Sequence, residues 1–392
     1  MYCIHTGREL ECLFAFVHPN ITKKAAAAAG AAVPALPAMR SPLVPLRMIF
    51  SGDVNLLGVT DPGVPFKHFE QAFKAADVVF CNLECCLYDP PGGGADDDEA
   101  FNAPAAAGGE ALKRAGVDVV GIANNVNYGA DSIKGSIARL DELGILHTGA
   151  GADAGAASKP AIVERNGTRI GFLQRTSVFW PEGHEAGAKA AGVAVVRGLT
   201  EFMPPPLHST RKGVPPGNRP GVPPVIVTRA DPKSLRVLKN DLAALRKQAD
   251  IVVASFHWGV FGEVLEYMVD LAHAAIDSGA DIVIGHGPHH YTMPIEFYKG
   301  KPIYYGLGAF SFQTGHGGDY HGDWVGMLAQ ATFTGRDVEE AGFRLVRQKR
   351  SMEIIPCALK DEAAVLDELR AQCMALGTQL KLQGDEVIVR PA

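Results

Sequence analysis

The sequence predicts an α/β fold with antiparallel additions, and three observations carry that expectation. Short β-branched runs alternate with helical patterns from residue 47 onward, which argues for parallel strands joined by helical crossovers. Two turn signals, Asn166-Gly167 and Lys299-Gly300, sit between apolar runs and mark hairpins at 162–172 and 295–305. Polar residues gather just past the ends of the predicted strands, where open α/β sheets place their chemistry.

In order along the chain, strands are expected at 48–51, 78–82, 117–123, 251–256 and 281–285, and helices at 66–76, 131–143, 234–248 and 264–278. Beyond residue 322 hairpin-like strands and a helix at 361–376 follow, without evident chemistry. Residues 1–46 lack periodicity and carry Pro34, Pro37, Pro42 and Pro45, so they read as a disordered or wrongly assigned tail before a single domain at 47–392. The lysines, alanines and small residues of 23–39 loosely imitate a signal peptide, but the segment is weakly hydrophobic and far from Met1. Two stretches interrupt the pattern: 90–107, rich in Gly, Pro, Asp and Ala, and the proline-rich 198–232. Both are expected to be long surface loops, the second either a lid or partner-contact segment or a plain insertion.

Composition narrows the function classes. With 47% hydrophobic and 20% charged residues, the chain can bury a large core. A net charge of −6 without a basic run gives no electrostatic reason to bind nucleic acid. No apolar run reaches the roughly 18 to 20 residues that span a bilayer. Seven cysteines without zinc-knuckle spacing fit a reducing compartment, so a cytoplasmic location is expected, with export as the alternative. Cys81, Cys85 and Cys86 read as buried packing residues.

Five predicted strands each end in a group able to bind metal: Asp53, Glu84, Asn124-Asn125, His257, and the run Gly285-His286-Gly287-Pro288-His289-His290. Singly, each has an ordinary reading, since strand-end aspartates cap helices and lone histidines are satisfied in cores. Together they supply carboxylate, amide oxygen and imidazole ligands from separate rigid elements to one rim, a set suited to one or two divalent ions such as manganese, zinc or iron. The candidate metal ligands are Asp53, Glu84, Asn125, His257, His286 and His289. His290 and the glycine-rich loop that carries His316, Asp319, His321 and Asp323 are the candidate acid–base groups; the same loop also reads as a solvated turn. Arg175 at a strand end is placed to bind an acidic substrate group or to pair with a rim carboxylate. His184 lies in or near a rim loop, whereas His147 and His273 are expected to be structural.

In order, Gly52-Asp53-Val54, Asn82-Leu83-Glu84, Ala123-Asn124-Asn125, His257-Trp258-Gly259, Gly285-His286-Gly287-Pro288-His289 and Tyr305-Gly306-Leu307-Gly308-Ala309-Phe310 resemble the motif series of the CapA-like branch of the calcineurin-like metallophosphoesterases, from about residue 49 to 312. The resemblance implies a four-layer α/β/β/α sandwich with a two-metal centre, metal roles for the six ligands named above, and a link to poly-gamma-glutamate capsule or related peptide-like polymers, with a capsule-type synthetase as a candidate partner. Departures accompany it. Val126 stands where the family places a general-acid histidine, Asn127 where a carboxylate is usual nearby, Gly287 in place of a second histidine, and Ala309 where an asparagine is frequent. The expected function is a metal-dependent hydrolase or transferase on a carboxylate-rich or peptide-like substrate. The alternatives are a non-catalytic accessory protein, a phosphoesterase with a different acid, and a metal-assisted peptide epimerase.

Overall fold

The computed structural model describes residues 44–91, 101–203, 223–312 and 320–392. Two sheets face each other. The larger, ten-stranded sheet runs in the order Thr378–Gln383, Glu386–Pro391, Asp337–Gln348, Gly326–Thr334, Leu46–Val54, Val78–Leu83, Val119–Gly121 and Leu146–Thr148, with Ala309–Ser311 added in parallel beside Leu46–Val54 and Ile354–Pro356 beside Asp337–Gln348. The smaller runs Ile295–Tyr298, Lys301–Tyr304, Ile282–His286, Ile251–His257, Thr168–Thr176 and Ala161–Arg165.

Three apolar layers hold these sheets in place. Between them Phe50, Phe80, Phe172, Val253, Ile284, Met327 and Phe343 form one core, in which Phe80 and Phe172 stack across the two sheets with centroids 5.3 Å apart. The outer face of the larger sheet is covered by Ala105–Ala115 and Ala130–Leu143, and that of the smaller by Pro232–Arg246 and Glu266–Asp277. Helix, sheet, sheet, helix is the four-layer order that the resemblance implied. Strand interiors that are apolar on both faces, such as the fully buried run Ile251–His257, follow from that burial.

Both expected hairpins form, with Asn166 and Lys299 at positive φ in their turns. Three expectations need correction. The helix expected at 66–76 shrinks to Glu70–Lys74: residues 66–69 form a turn closed by the Phe69 N–H on the Phe66 carbonyl, while Phe66, Phe69 and Phe73 all pack on Phe310. Part of the loop expected at 90–107 is helix from Ala105, where Gly108 and Gly109 let the helix sit close: a Cβ on Gly109 would lie 2.7 Å from Leu143. The loop expected at 198–232 opens and closes as an antiparallel hairpin, Gly198–Met203 against Val225–Ala230. Among the described residues no helix is long and apolar enough to cross a membrane.

Candidate metal centre

The site lies where the carboxyl ends of strands from both sheets converge. Parallel pairing of Ile251–His257 with Ile282–His286 puts His257 directly beside His286, and on the other side His257 is paired with Thr176. In the larger sheet Asp53 is paired with Asn82, after a register irregularity in Leu46–Val54, and Glu84 follows one residue beyond Leu83. The five strand ends therefore come from two facing sheets rather than from one, and the rim is the seam between them. Two glycines make the approach possible. A Cβ on Gly52 would fall 2.1 Å from the Gly308 carbonyl oxygen, which accepts the Asp53 N–H at 2.9 Å, and Gly287 sits at φ +120° against the Trp258 carbonyl.

Asp53 and Glu84 are both fully buried, and all their ion-pair partners among the described residues are histidines. Asp53 Oδ2 lies 2.9 Å from His289 Nδ1 and accepts the Gly287 N–H at 3.3 Å, while Oδ1 lies 3.2 Å from His286 Nδ1. Glu84 Oε1 lies 3.3 Å from both His257 Nε2 and His289 Nε2. Asn82 bridges the two carboxylates, with its Nδ2 at 2.8 Å from Asp53 Oδ1 and 3.3 Å from Glu84 Oε2, and Gln174 donates to its Oδ1. One ligand atom each from Asp53, Glu84 and His289 can be chosen so that all lie within 4.8 Å of one another.

Burial by itself would raise the carboxyl of Asp53, but its contacts with His286 and His289 outweigh that and hold it well below the usual carboxylate range. Glu84 is lowered in the same way, mainly by His289 against burial and the Asp53 charge. His289, opposed by burial, is pushed up to about 10 by Glu84 and Asp53.

These residues fit a divalent cation. Two buried carboxylates without Lys or Arg leave an uncompensated charge that proton or metal must balance. His286 is buried with neither ring nitrogen in a well-aligned hydrogen bond, which leaves a nitrogen free to face a metal. His257 Nδ1 lies 3.2 Å from the Thr176 hydroxyl, which fixes the ring with Nε2 toward Glu84.

Asn125 is half-buried, and its main-chain carbonyl accepts the Trp180 indole N–H. Its neighbour Asn124 is buried and bonded to Asn82 and Leu83. Among the candidate acid–base groups, His316 and Asp319 lie outside the described residues. His290 is exposed and packs on Trp324 at 4.2 Å, and His321 stacks on that ring at 3.9 Å; Trp324 in turn lies 5.9 Å from His289. Asp323 is exposed next to Trp324. Arg175 does not serve the rim: it is buried and paired with Asp241 at 2.7 Å on the helix side of the smaller sheet. The imidazole of His184 takes the Trp180 N–H and meets the Asn127 carbonyl, and burial pushes it down to about 4. Val126 is fully buried. The thiols of Cys81, Cys85 and Cys86 are buried and free, and burial raises all three. Sequence reasoning gave no role to Gln174 or Trp324; Asn82 carried a signal by its place in the Glu84 motif, and Thr176 by following Arg175 at its strand end.

Comparison with known proteins identifies the family of the chain. The chain is 28% identical over 305 residues to the uncharacterized protein y4sH of Sinorhizobium fredii, covering 68% of this chain and 66% of that protein. It is 33% identical over 198 residues to a probable polyglutamine synthesis accessory protein of Mycobacterium tuberculosis, covering 48% and 44%. To the PGA biosynthesis protein CapA of Bacillus subtilis it is 29% identical over 255 residues, covering 64% and 57%. The matches thus span between 44% and 66% of these relatives' own lengths. The family model described as bacterial capsule synthesis protein PGA_cap matches residues 19–314, well over half of the chain, and the protein belongs to that family.

Proposed function

We propose that the seam between the sheets holds one or two divalent metal ions and that the protein is a metal-dependent hydrolase or transferase acting on a carboxylate-rich or peptide-like substrate linked to poly-gamma-glutamate. The carrying observation is the pair of fully buried carboxylates, Asp53 and Glu84, whose ion-pair partners among the described residues are all histidines. A divalent ion bound there would polarise a carbonyl or phosphoryl oxygen and acidify a bound water. Asp53, Glu84, His257, His286 and His289, with Asn125 at the edge, would hold it. Asn82 and Thr176 orient the carboxylates and His257, and Trp324 with Phe312 walls the outer face of His289. His290, beside Trp324 at the mouth, is the described imidazole best placed to exchange protons with a leaving group, with His321 behind it. The test is metal analysis of the purified chain and its Asp53→Ala variant, followed by a panel of peptide, γ-glutamyl and phosphate ester substrates. Metal content that is equal in both proteins would refute the proposed centre.

One observation favours a second reading, an accessory protein that binds polymer or a synthetase without catalysis. Val126 occupies the place of the family's general-acid histidine and is fully buried, so neither its chemistry nor its position supplies a proton. A relative from Mycobacterium tuberculosis carries the words accessory protein in its name. Metal binding with no turnover across the panel would select this reading.

A further inference from the structure

A cleft of about 460 Å³ opens beside the metal centre. It is lined by Phe261 and Glu263, from the loop that follows Ile251–His257, by His290 and Tyr291, the two residues directly after His289, and by Asp323 and Glu368. Helix Ala363–Ala375, which bears Glu368, lies outside the stretch matched by the family model. The cleft therefore draws its lining both from the matched stretch and from beyond it.

Its surface has two characters. Phe261 is 66% and Tyr291 45% exposed, so two aromatic rings stand open to a ligand. The charged lining is unbalanced. Arg347 is the one cation there, and its guanidinium is already engaged by both oxygens of Glu362 at 2.5 and 2.8 Å and by the Asp323 carbonyl. Neither Glu263 nor the Asp323 carboxylate has an ion-pair partner among the described residues, and Glu368 meets only the Gln372 amide. Ring faces next to unpaired carboxylates recognise an organic cation, because an alkylammonium can use both the π-face and the negative charge. A hydrated metal ion has no use for the rings, and a run of substrate carboxylates would be repelled.

We infer that this cleft is a subsite for an ammonium group, the free amino end of a peptide-like chain whose reacting bond lies on the metal centre. The placement of the rest of the chain rests on the metal-centre reading; the ammonium subsite does not. Two tripeptide amides test it, Ala-Ala-Ala-NH2 with a free amino terminus and its N-acetylated twin, titrated into the full chain and followed by NMR. The free amine should bind about tenfold tighter at low salt, a gap that closes as salt screens the carboxylates. The E263Q/E368Q variant, confirmed as folded by circular dichroism, should lose the difference; if the pair fails to fold, each single variant should reduce it. Asp53→Ala should keep the difference, whether or not metal content falls, so that failure of the metal centre is read separately. Equal binding of the two peptides, a preference that survives in E263Q/E368Q, or a preference lost in Asp53→Ala would overturn the inference.

Discussion

Replacing Asp53 with Ala tests the centre through the metal-dependent part of stability. The apo effect of this substitution mixes opposing terms: the variant loses the bonds to Asn82, Gly287 and His289 but is relieved of repulsion from Glu84 and of the cost of a buried carboxylate. The increment gained on adding metal is cleaner. An ion that binds only the folded chain at one hundred times its Kd adds about 2.7 kcal/mol. Over the unit Leu43–Ala392, an unfolding entropy of about 2.1 cal/mol/K per residue gives roughly 0.7 kcal/mol/K, so wild type should melt about 4 °C higher with manganese, zinc or iron than in chelator. Asp53→Ala removes a carboxylate that faces both His286 and His289, and its shift should fall below about 1 °C. The assay is calorimetric melting of both proteins after chelation and after reloading. A wild type indifferent to all three ions, or a variant that keeps the full shift, would refute the reasoning.

Three further outcomes follow. Because His289 is pushed up to about 10 in the metal-free fold, its contribution to stability is fully present below the ordinary imidazole value near 6.5 and is lost as pH rises through 10. Chelated wild type should lose stability over that window relative to His289→Ala, and metal binding near pH 8 should release about one proton, seen as a buffer-dependent heat of binding. Wild type should turn over simple aryl phosphates weakly or not at all, while Val126→His should gain turnover and lose about 1–3 kcal/mol of stability, since the ring enters a fully buried position; robust wild-type turnover would show that another residue delivers the proton. Asp281 is buried and met by Arg246, Lys301, Arg336 and the Val252 N–H, so Asp281→Ala should cost about 3–5 kcal/mol in chemical denaturation with metal content unchanged.

What the sequence revealed of the site was its ligand inventory; what it concealed was the partition between sheets. Alternating strands and helices announce parallel pairing but not which strands share a sheet, so Asp53 and Glu84 read as neighbours of His257 and His286 when they lie across a seam. The helix Ala105–Ala115 was missed because its first turn falls in the stretch 90–107 whose composition reads as loop, and Gly108 and Gly109 follow directly; the neighbouring Leu87 and Leu143 side chains explain why glycine is there. Arg175 shows the opposite failure. A strand-end arginine next to polar motifs looks like a substrate anchor, yet side chains alternate across a strand, and this one turns to Asp241 on the helix side.

The adjacent pair Asn124-Asn125, of which the sequence singled out Asn125 as the candidate ligand, differs in hydrogen bonding. The Asn124 amide nitrogen donates to Asn82 Oδ1 and the Leu83 carbonyl, and its Oδ1 accepts the Val126 and Asn127 N–H groups and the Asn127 side-chain amide. An oxygen so occupied has no lone pair left for an ion. Asn124 instead ties the loop after Val119–Gly121 to Asn82, the residue that bridges Asp53 and Glu84, and the proposed ligand role stays with Asn125. Asn124→Ala should accordingly loosen both carboxylates at once and weaken metal binding indirectly, with a loss of thermal stability that persists in chelator. Asn125→Ala should weaken metal binding while leaving the chelated protein's melting temperature unchanged. The reverse pattern in paired metal titrations and melts would exchange the two assignments.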